Sequence, residues 1–210
     1  MALKDIELRI LGSLIEKEKT TPEAYPLTDN SLRLACNQKS SRNPVSDYSH
    51  SEISMALQNL RDKGMVTSSR SANERAVKHL HRFNKHYGLN DKELAIMAVL
   101  MLRGKQTPGE LRSRTDRYGS LRDLLDVENT LNSLASKPTA LVKNLGRGPG
   151  QSQDRWQHTL GLDEESLKPR VRQVAKANIP SAKDELKAEI NNLKRKLKRV
   201  YNHLGLDFDD

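Results

Sequence analysis

The amino-acid sequence predicts a mainly α-helical protein with small β-hairpins, of the α+β class, with two tandem winged-helix domains and a C-terminal heptad helix. A shift of 86 positions lays residues 7–11 (ELRIL) on residues 93–97 (ELAIM), which indicates a repeated unit. Each copy has the pattern of three helices followed by two short strands, the element order of a winged helix. Near the C-terminus, apolar residues alternate at spacings of four and three, as in a coiled coil.

The helices of the first copy are predicted from apolar periodicity and from capping residues. Apolar side chains recur every three or four positions at Leu3, Ile6, Ile10 and Leu14. The segment 20–22 (TTP) ends this helix, and Thr28 is placed to cap a short second helix. A third helix follows, capped by Ser49 or Ser51; Ser49 and Glu52 have the spacing of a capping box.

A hairpin closes the first copy. Residues 65–69 and 77–83 are predicted to form its two antiparallel strands, joined by a polar tip around residues 71–74. With the short second helix and the third helix as a helix-turn-helix, this hairpin would be the wing.

The second copy repeats this order. Residues 91–103 form an apolar helix that Gly104 ends, and Thr107, Pro108 and Glu110 mark a strong start for the next helix. Residues 120–136 are predicted as the third helix, and residues 141–145 and 156–160 as the hairpin. The domains are therefore expected at residues 1–88 and 89–161.

The C-terminal part has a different character. Residues 162–180 combine charge and proline with few apolar positions, which predicts a linker. Residues 181–205 carry an a/d heptad pattern at Leu186, Ile190, Leu193, Leu197, Val200 and Leu204. A helix this short is marginal alone, so it should pair with a second copy of the chain in a homodimer or dock on its own chain.

Composition limits the partners and the chemistry. The net charge of +9 favours polyanions such as double-stranded DNA, although many basic proteins bind no nucleic acid. Cys36 is the only cysteine and its apolar surroundings predict a buried thiol. The longest apolar run, residues 94–102, is too short to cross a bilayer, so no membrane association and a cytoplasmic location are expected. No catalytic motif is recognisable, and we expect no enzyme and no cofactor.

The first copy carries the candidate nucleic-acid contacts. Outward positions of its third helix are suited to base edges, or are simply a solvated helix face. The polar loop 37–43 and the hairpin supply phosphate-binding cations, although the loop is equally well explained as a structural turn. The predicted contact residues are Lys39, Arg42, Ser51, Ser54, Gln58, Arg61, Arg70, Arg75 and Lys78.

The second copy differs on the corresponding surface. Asp123, Asp126 and Glu128 make its third helix acidic, and carboxylates are repelled by phosphates. Any DNA contact would then come from its wing, through Lys143, Arg147 and Arg155. A protein-binding or dimerisation role is favoured instead.

Two histidines are candidate metal ligands. His79 and His81 alternate on a predicted strand and share a face, but a zinc site needs three or four converging ligands. We favour ordinary strand histidines, without a metal.

Several longer strings resemble one known family. Residues 7–12 (ELRILG), 14–18 (LIEKE), 35–40 (ACNQKS), 101–104 (MLRG) and 106–112 (QTPGELR) are similar to those of the YceH-like family of uncharacterised bacterial proteins. The resemblance covers about residues 5–160. It implies a tandem winged-helix fold in a bacterium, and it implies no activity.

Two functional hypotheses follow. The first is a DNA-binding, transcription-regulator-like protein that docks the third helix of its first domain in the major groove. The alternative is a protein-interaction scaffold, a tandem winged-helix partner platform comparable to the accessory subunits of bacterial condensin, which would bind its partner through the second domain. Small-molecule sensing stays open, since no sequence feature locates a pocket.

Overall fold

The computed structural model describes residues 2–70 and 76–161, together with Lys194 and Lys196. The chain divides into two compact units, Met1–Leu167 and Lys168–Asp210. The predicted linker at 162–180 and the heptad helix at 181–205 lie outside the described residues, apart from the two lysines. They therefore stay predictions.

The first unit is mainly helical with two small antiparallel sheets, which confirms the predicted α+β class. Its helices are α1 (Asp5–Thr20), α2 (Asp29–Asn37), α3 (His50–Asp62), α4 (Phe83–Tyr87), α5 (Asp91–Arg103), α6 (Pro108–Thr115) and α7 (Leu124–Ser136). Its strands are β1 (Leu27–Thr28), β2 (Val66–Ser69), β3 (Lys78–His81), β4 (Val142–Asn144) and β5 (Trp156–His158). Short 3-10 turns lie at Pro22–Ala24 and Asp116–Tyr118.

The predicted helix starts are confirmed by their caps. The Thr28 hydroxyl accepts the Ser31 amide at the start of α2. Ser49 and Glu52 form a reciprocal capping box on α3, and Thr107 and Glu110 form another on α6. Such caps satisfy amides that have no partner inside the helix, so a few neighbouring residues are enough to set the boundary.

The two sheets have related layouts. The first has the order β1-β3-β2, with Leu27 opposite His79 and Val66 opposite His81. The second pairs β4 with β5 and adds an isolated bridge between Gln106 and Trp156. The two-residue strand β1 was missed because it is too short to show a period.

Several predicted boundaries were wrong, and two of them have a clear physical reason. The strand expected at residues 77–83 ends at His81, because Phe83 begins α4 and its ring is fully buried. The helix expected from residue 120 begins at Leu124, because the Asp123 carboxylate accepts the Asp126 amide and caps it there. Gly119 precedes this start with a φ of +66°, which ends the preceding turn.

One apolar core runs through both copies. We call residues 2–88 the first half and residues 89–161 the second half. Helix α1 has its most extensive helix contact with α5, and Gly12 lies directly against Leu102. The Leu3 amide also donates to the Leu160 carbonyl at 2.7 Å, so the start of the first half is hydrogen-bonded to the end of the second.

The Cys36 thiol is fully buried, as predicted. Burial raises its pKa to about 11, so the thiol stays protonated and unreactive at neutral pH. Among the described residues, no helix combines the length and the apolar character needed to cross a membrane.

His158 makes the stability of this fold dependent on pH. Burial lowers its pKa to about 4, with the Asp5 charge acting in the opposite direction, and its Nδ1 atom has no partner among the described residues. In the unfolded chain the ring has a pKa near 6.5 and binds a proton below that pH. We expect the contribution of His158 to the free energy of unfolding to be fully present above pH 6.5. As the pH is lowered from 6.5 to 4, the free energy of unfolding should fall by about 3 kcal/mol.

Urea unfolding at pH 7.5, 5.5 and 4.5 measures this slope. His158→Gln should flatten it, whereas His86→Gln, at an exposed histidine, should leave it unchanged. Equal slopes in both variants would contradict the assignment to His158.

Candidate nucleic-acid interface

Helix α3 presents a polar face to solvent. Its buried side packs through Ile53, Ala56, Leu57 and Leu60. On the opposite side Ser51 and Gln58 are exposed, Met55 is 63% exposed, and Ser54 and Arg61 are half-buried. The predicted contact residues of this helix therefore lie on its accessible side, because a period of 3.6 separates the apolar from the polar positions.

A chain of hydrogen bonds holds Arg61 against the hairpin. Arg61 Nη1 donates to Ser68 Oγ at 3.1 Å, and Ser68 Oγ lies 3.0 Å from His79 Nδ1. His79 Nε2 lies 2.6 Å from Asp29 Oδ1. Arg61 Nη2 also donates to Gln58 Oε1 at 2.7 Å. We call Asp29, His79, Ser68 and Arg61 the relay.

One tautomer of His79 satisfies both neighbours in the relay. With the proton on Nε2, the ring donates to the Asp29 carboxylate and its Nδ1 accepts the Ser68 hydroxyl. The Ser68 oxygen then accepts from Arg61. The ring is only 2% exposed, so it links α2 to the hairpin without contact with solvent. The guanidinium on α3 is thereby oriented before any ligand binds.

The carboxylates around α3 are engaged in internal contacts. The hydrogen bonds from Ser49 lower the pKa of Glu52, which keeps this cap charged. Asp62 accepts from Gln58, and Glu7 binds Lys63 at 2.8 Å. Lys63 therefore offsets the charge of Glu7, whereas the hydrogen-bond donors to Glu52 and Asp62 are neutral.

The predicted cations of the first half lie in three places. Lys39 is exposed in the loop after α2. Arg70 directly follows β2, and Lys78 opens β3 opposite Ser69. Arg75 lies outside the described residues.

The position of Arg42 in the structure differs from its predicted position. It was expected to bind phosphate, yet its side chain is completely buried and forms a two-pronged ion pair with Glu16, at 2.6 Å and 3.2 Å. It also donates twice to the Ala35 carbonyl, at 2.7 Å and 3.1 Å. A guanidinium held this way satisfies the end of α2 and cannot reach a ligand.

The rest of the polar loop has the same structural role. Arg9 donates to the Cys36 and Pro44 carbonyls, at 3.3 Å and 2.6 Å. The Asn37 amide exchanges two hydrogen bonds of 2.8 Å with the Tyr48 backbone. Of the two explanations open at the sequence level, the structural turn accounts for this loop, with Lys39 as its exposed cation.

The predicted wing cations of the second half have acidic partners. Arg147 pairs with Asp154 at 3.3 Å, and Arg155 pairs with Glu110 at 3.2 Å. Lys143 lies in the middle of β4. This wing therefore offers less uncompensated charge than its sequence suggests.

Helix α7 exposes both acidic and apolar side chains to solvent. Asp126 binds Lys92 at 2.8 Å, while Glu128 is exposed. Leu124 and Leu125 are 46% and 64% exposed at the start of the helix. Beside Leu124, an open cleft of about 360 Å³ is lined by Trp156, Pro108 and Arg147.

The two strand histidines bind different carboxylates. His81 Nε2 lies 2.9 Å from Glu18 Oε2, whereas His79 is bound to Asp29. The hydrogen bond from His81 lowers the pKa of Glu18. Across the residues that the structure describes, no three histidine, cysteine or carboxylate side chains come together as metal ligands.

Sequence reasoning missed Asp29 and Ser68 as parts of the site. Asp29 is 50 positions from His79 along the chain, and Ser68 is 11 positions from it. The only available signal was the alternation that places His79 on one face of its strand.

Comparison with known proteins gives a consistent match. Residues 3–151 match a family described as "Protein of unknown function, DUF480". A UPF0502 protein of Shewanella amazonensis is 45% identical over 164 residues, covering 76% of this chain and 78% of that protein. A UPF0502 protein of Opitutus terrae is 46% identical over 160 residues, covering 76% and 70%. The UPF0502 protein YceH of Salmonella paratyphi C is 38% identical over 206 residues, covering 95% and 96%.

Proposed function

Since the chain belongs to the DUF480 family of uncharacterised bacterial proteins, as its YceH-like motifs indicated, we propose its function from its own geometry: it binds double-stranded DNA through α3 and the β2–β3 hairpin. Both halves are assigned as winged helices. Three helices and a hairpin occur in each, and β1 adds the third strand of the first sheet.

The relay is the observation that carries this proposal. An arginine and a glutamine, Arg61 and Gln58, lie on the accessible side of α3 and are hydrogen-bonded to each other. Ser68 ties the same arginine to the hairpin. Arginine and glutamine are the side chains that read guanine and adenine edges in the major groove, and preorganisation reduces the entropy lost on binding.

The binding mode follows from this arrangement. Helix α3 enters the major groove with Ser51, Gln58 and Arg61 toward the bases, and Lys39, Arg70 and Lys78 contact flanking phosphates. The role is that of a transcription regulator without catalysis. The heptad pattern at 181–205 supports a homodimer, and a cytoplasmic location accompanies DNA binding.

Fluorescence anisotropy with labelled duplex DNA tests the proposal across 50–300 mM salt. We expect binding that weakens steeply with salt, and an affinity about 5- to 100-fold lower for Arg61→Ala. Ser68→Ala should lower the affinity less, because Arg61 stays present but loses its support. Arg122→Ala, an exposed arginine before α7, is the matched control and should change little.

Absence of salt-dependent binding near physiological ionic strength would refute the proposal. An equal loss in Arg61→Ala and Arg122→Ala would show that only bulk charge matters. Either result removes α3 as a base-reading helix.

A second candidate function is a protein-interaction scaffold that uses the second half. The adjacent exposed leucines Leu124 and Leu125 favour it, since apolar side chains beside an open cleft are typical of protein interfaces. The same titration separates the candidates, because a scaffold without a nucleic-acid role shows no salt-dependent DNA binding.

A further inference from the structure

Four arginines gather where the two halves meet. Glu16 of α1 has a carboxylate only 1% exposed, and it binds Arg42 of the first half and Arg117 of the second. The Asn43 amide donates to the Leu102 carbonyl at 2.9 Å, which brings the polar loop to the end of α5. Arg103 ends that helix, and Arg114 lies on α6.

Arg103 and Arg114 are poorly compensated. Within the described part of the chain, Arg103 has one hydrogen-bond partner, the neutral Ser41 hydroxyl at 2.8 Å. Arg114 lies 3.6 Å from Glu110, beyond hydrogen-bond distance, and Glu110 also binds Arg155 and caps α6. Burial and the charges of Arg114 and Arg117 lower the pKa of Arg103, which agrees with three guanidiniums in close proximity.

Two further features mark this place. The Tyr118 side chain is 7% exposed, and Arg117 lies 5.4 Å from its ring centre and close enough to the hydroxyl to act against the rise in its pKa. Burial raises the pKa of this hydroxyl to about 12, so it remains a donor at neutral pH. Ser41 has a φ of +58°, a strained value for a residue with a side chain, and such strain gathers at functional sites.

We infer that Arg103, Arg114 and Arg117 form a binding site for a phosphate group at the junction of the two halves. Four guanidiniums, Arg42 included, lie near Glu16 and Glu110, and Arg155 also binds Glu110, so five positive charges meet two carboxylates. A guanidinium has five N–H donors, and most of those of Arg103, Arg114 and Arg117 remain unused among the described contacts, whereas those of Arg42 are engaged. A phosphate group supplies several acceptor oxygens and up to two negative charges, which guanidinium forks bind in pairs.

This site is separate from the DNA contacts proposed for α3. Its three arginines come from α5, α6 and the turn at Asp116–Tyr118; Arg117 is exposed, whereas Arg103 and Arg114 are half-buried. Ser41 comes from the first half. A phosphate bound there would contact both halves. It belongs either to a small phosphorylated molecule or to the backbone of a nucleic acid, and the two sources share the same chemistry.

Isothermal titration of the full chain with inorganic phosphate, at constant ionic strength in chloride buffer, tests the site. We expect saturable binding in the wild type and at least about tenfold weaker binding in Arg103→Gln and Arg114→Gln. Arg122→Gln changes an exposed arginine of the same half and should bind phosphate normally. Thermal unfolding in chloride checks that each variant is folded, and Arg117 is left intact because it binds Glu16.

Duplex DNA titrations of the same variants identify the source of the phosphate. Saturable phosphate binding with unchanged DNA affinity assigns the site to a small ligand. Loss of DNA affinity in Arg103→Gln and Arg114→Gln, with a salt slope shallower by about one, assigns it to the DNA backbone. If neither titration separates these variants from Arg122→Gln, the inference is wrong, whatever Arg61→Ala shows for α3.

Discussion

Replacing Arg42 by alanine is expected to lower the free energy of unfolding by about 3–5 kcal/mol. The change leaves Glu16 buried with one arginine instead of two, and the remaining partner, Arg117, is partly exposed. It also removes both hydrogen bonds to the Ala35 carbonyl at the end of α2. A buried charge that loses its partner is far more costly than a broken surface ion pair.

Urea denaturation followed by circular dichroism measures this effect. Lys39→Ala, three residues earlier in the same loop and exposed, is the matched control and should change stability by less than about 0.5 kcal/mol. An Arg42→Ala protein with wild-type stability and weaker DNA binding would overturn the structural role and return Arg42 to the phosphate contacts.

Gly12→Val is expected to lower the free energy of unfolding by about 3 kcal/mol. A Cβ atom at position 12 would lie 2.8 Å from Leu102 Cγ and 3.3 Å from Met101 Cβ. Both neighbours belong to α5, whose side chains are buried along nearly its whole length. The added side chain must therefore push α1 and α5 apart, because close-packed cores have little free volume.

The same denaturation experiment tests this packing, with Gly109→Ala as the control. Gly109 also lies inside a helix, but its nearest neighbour to an added Cβ is 3.8 Å away, so its replacement should be neutral or slightly stabilising. Similar stability for Gly12→Val and the wild type would mean that α1 and α5 are not in tight contact. A loss of stability should also broaden the unfolding transition if the halves then separate.

Much of the first unit was predictable because its signals are local. The start of α3 follows from Ser49 and Glu52, and that of α6 from Thr107 and Glu110, pairs only three residues apart. The exposed side of α3 follows from the helical period. Shorter elements such as β1 and α4 were missed, since two to five residues contain too little of any period.

The location of the candidate site on α3 was predictable from the sequence, but the contacts of its charged side chains were not. Sequence reasoning placed Gln58 and Arg61 on the outer side of α3, and both side chains lie on that side in the structure. It also assigned Arg42 to solvent, because an arginine in a polar loop ordinarily points there. Nothing in the local sequence showed that Glu16, 26 positions earlier, would be buried beside it.

The sequence alone therefore determined the class of the fold, most helix starts and the faces of the long helices, because capping and periodicity act over a few neighbouring residues. Only the tertiary structure decided which charges meet. Asp29 and His79 are 50 positions apart, and Glu16 and Arg117 are 101 positions apart. Such long-range contacts decide whether a charged side chain is buried with a partner or stays accessible to a ligand. Burial of a charge without a partner is too costly to persist.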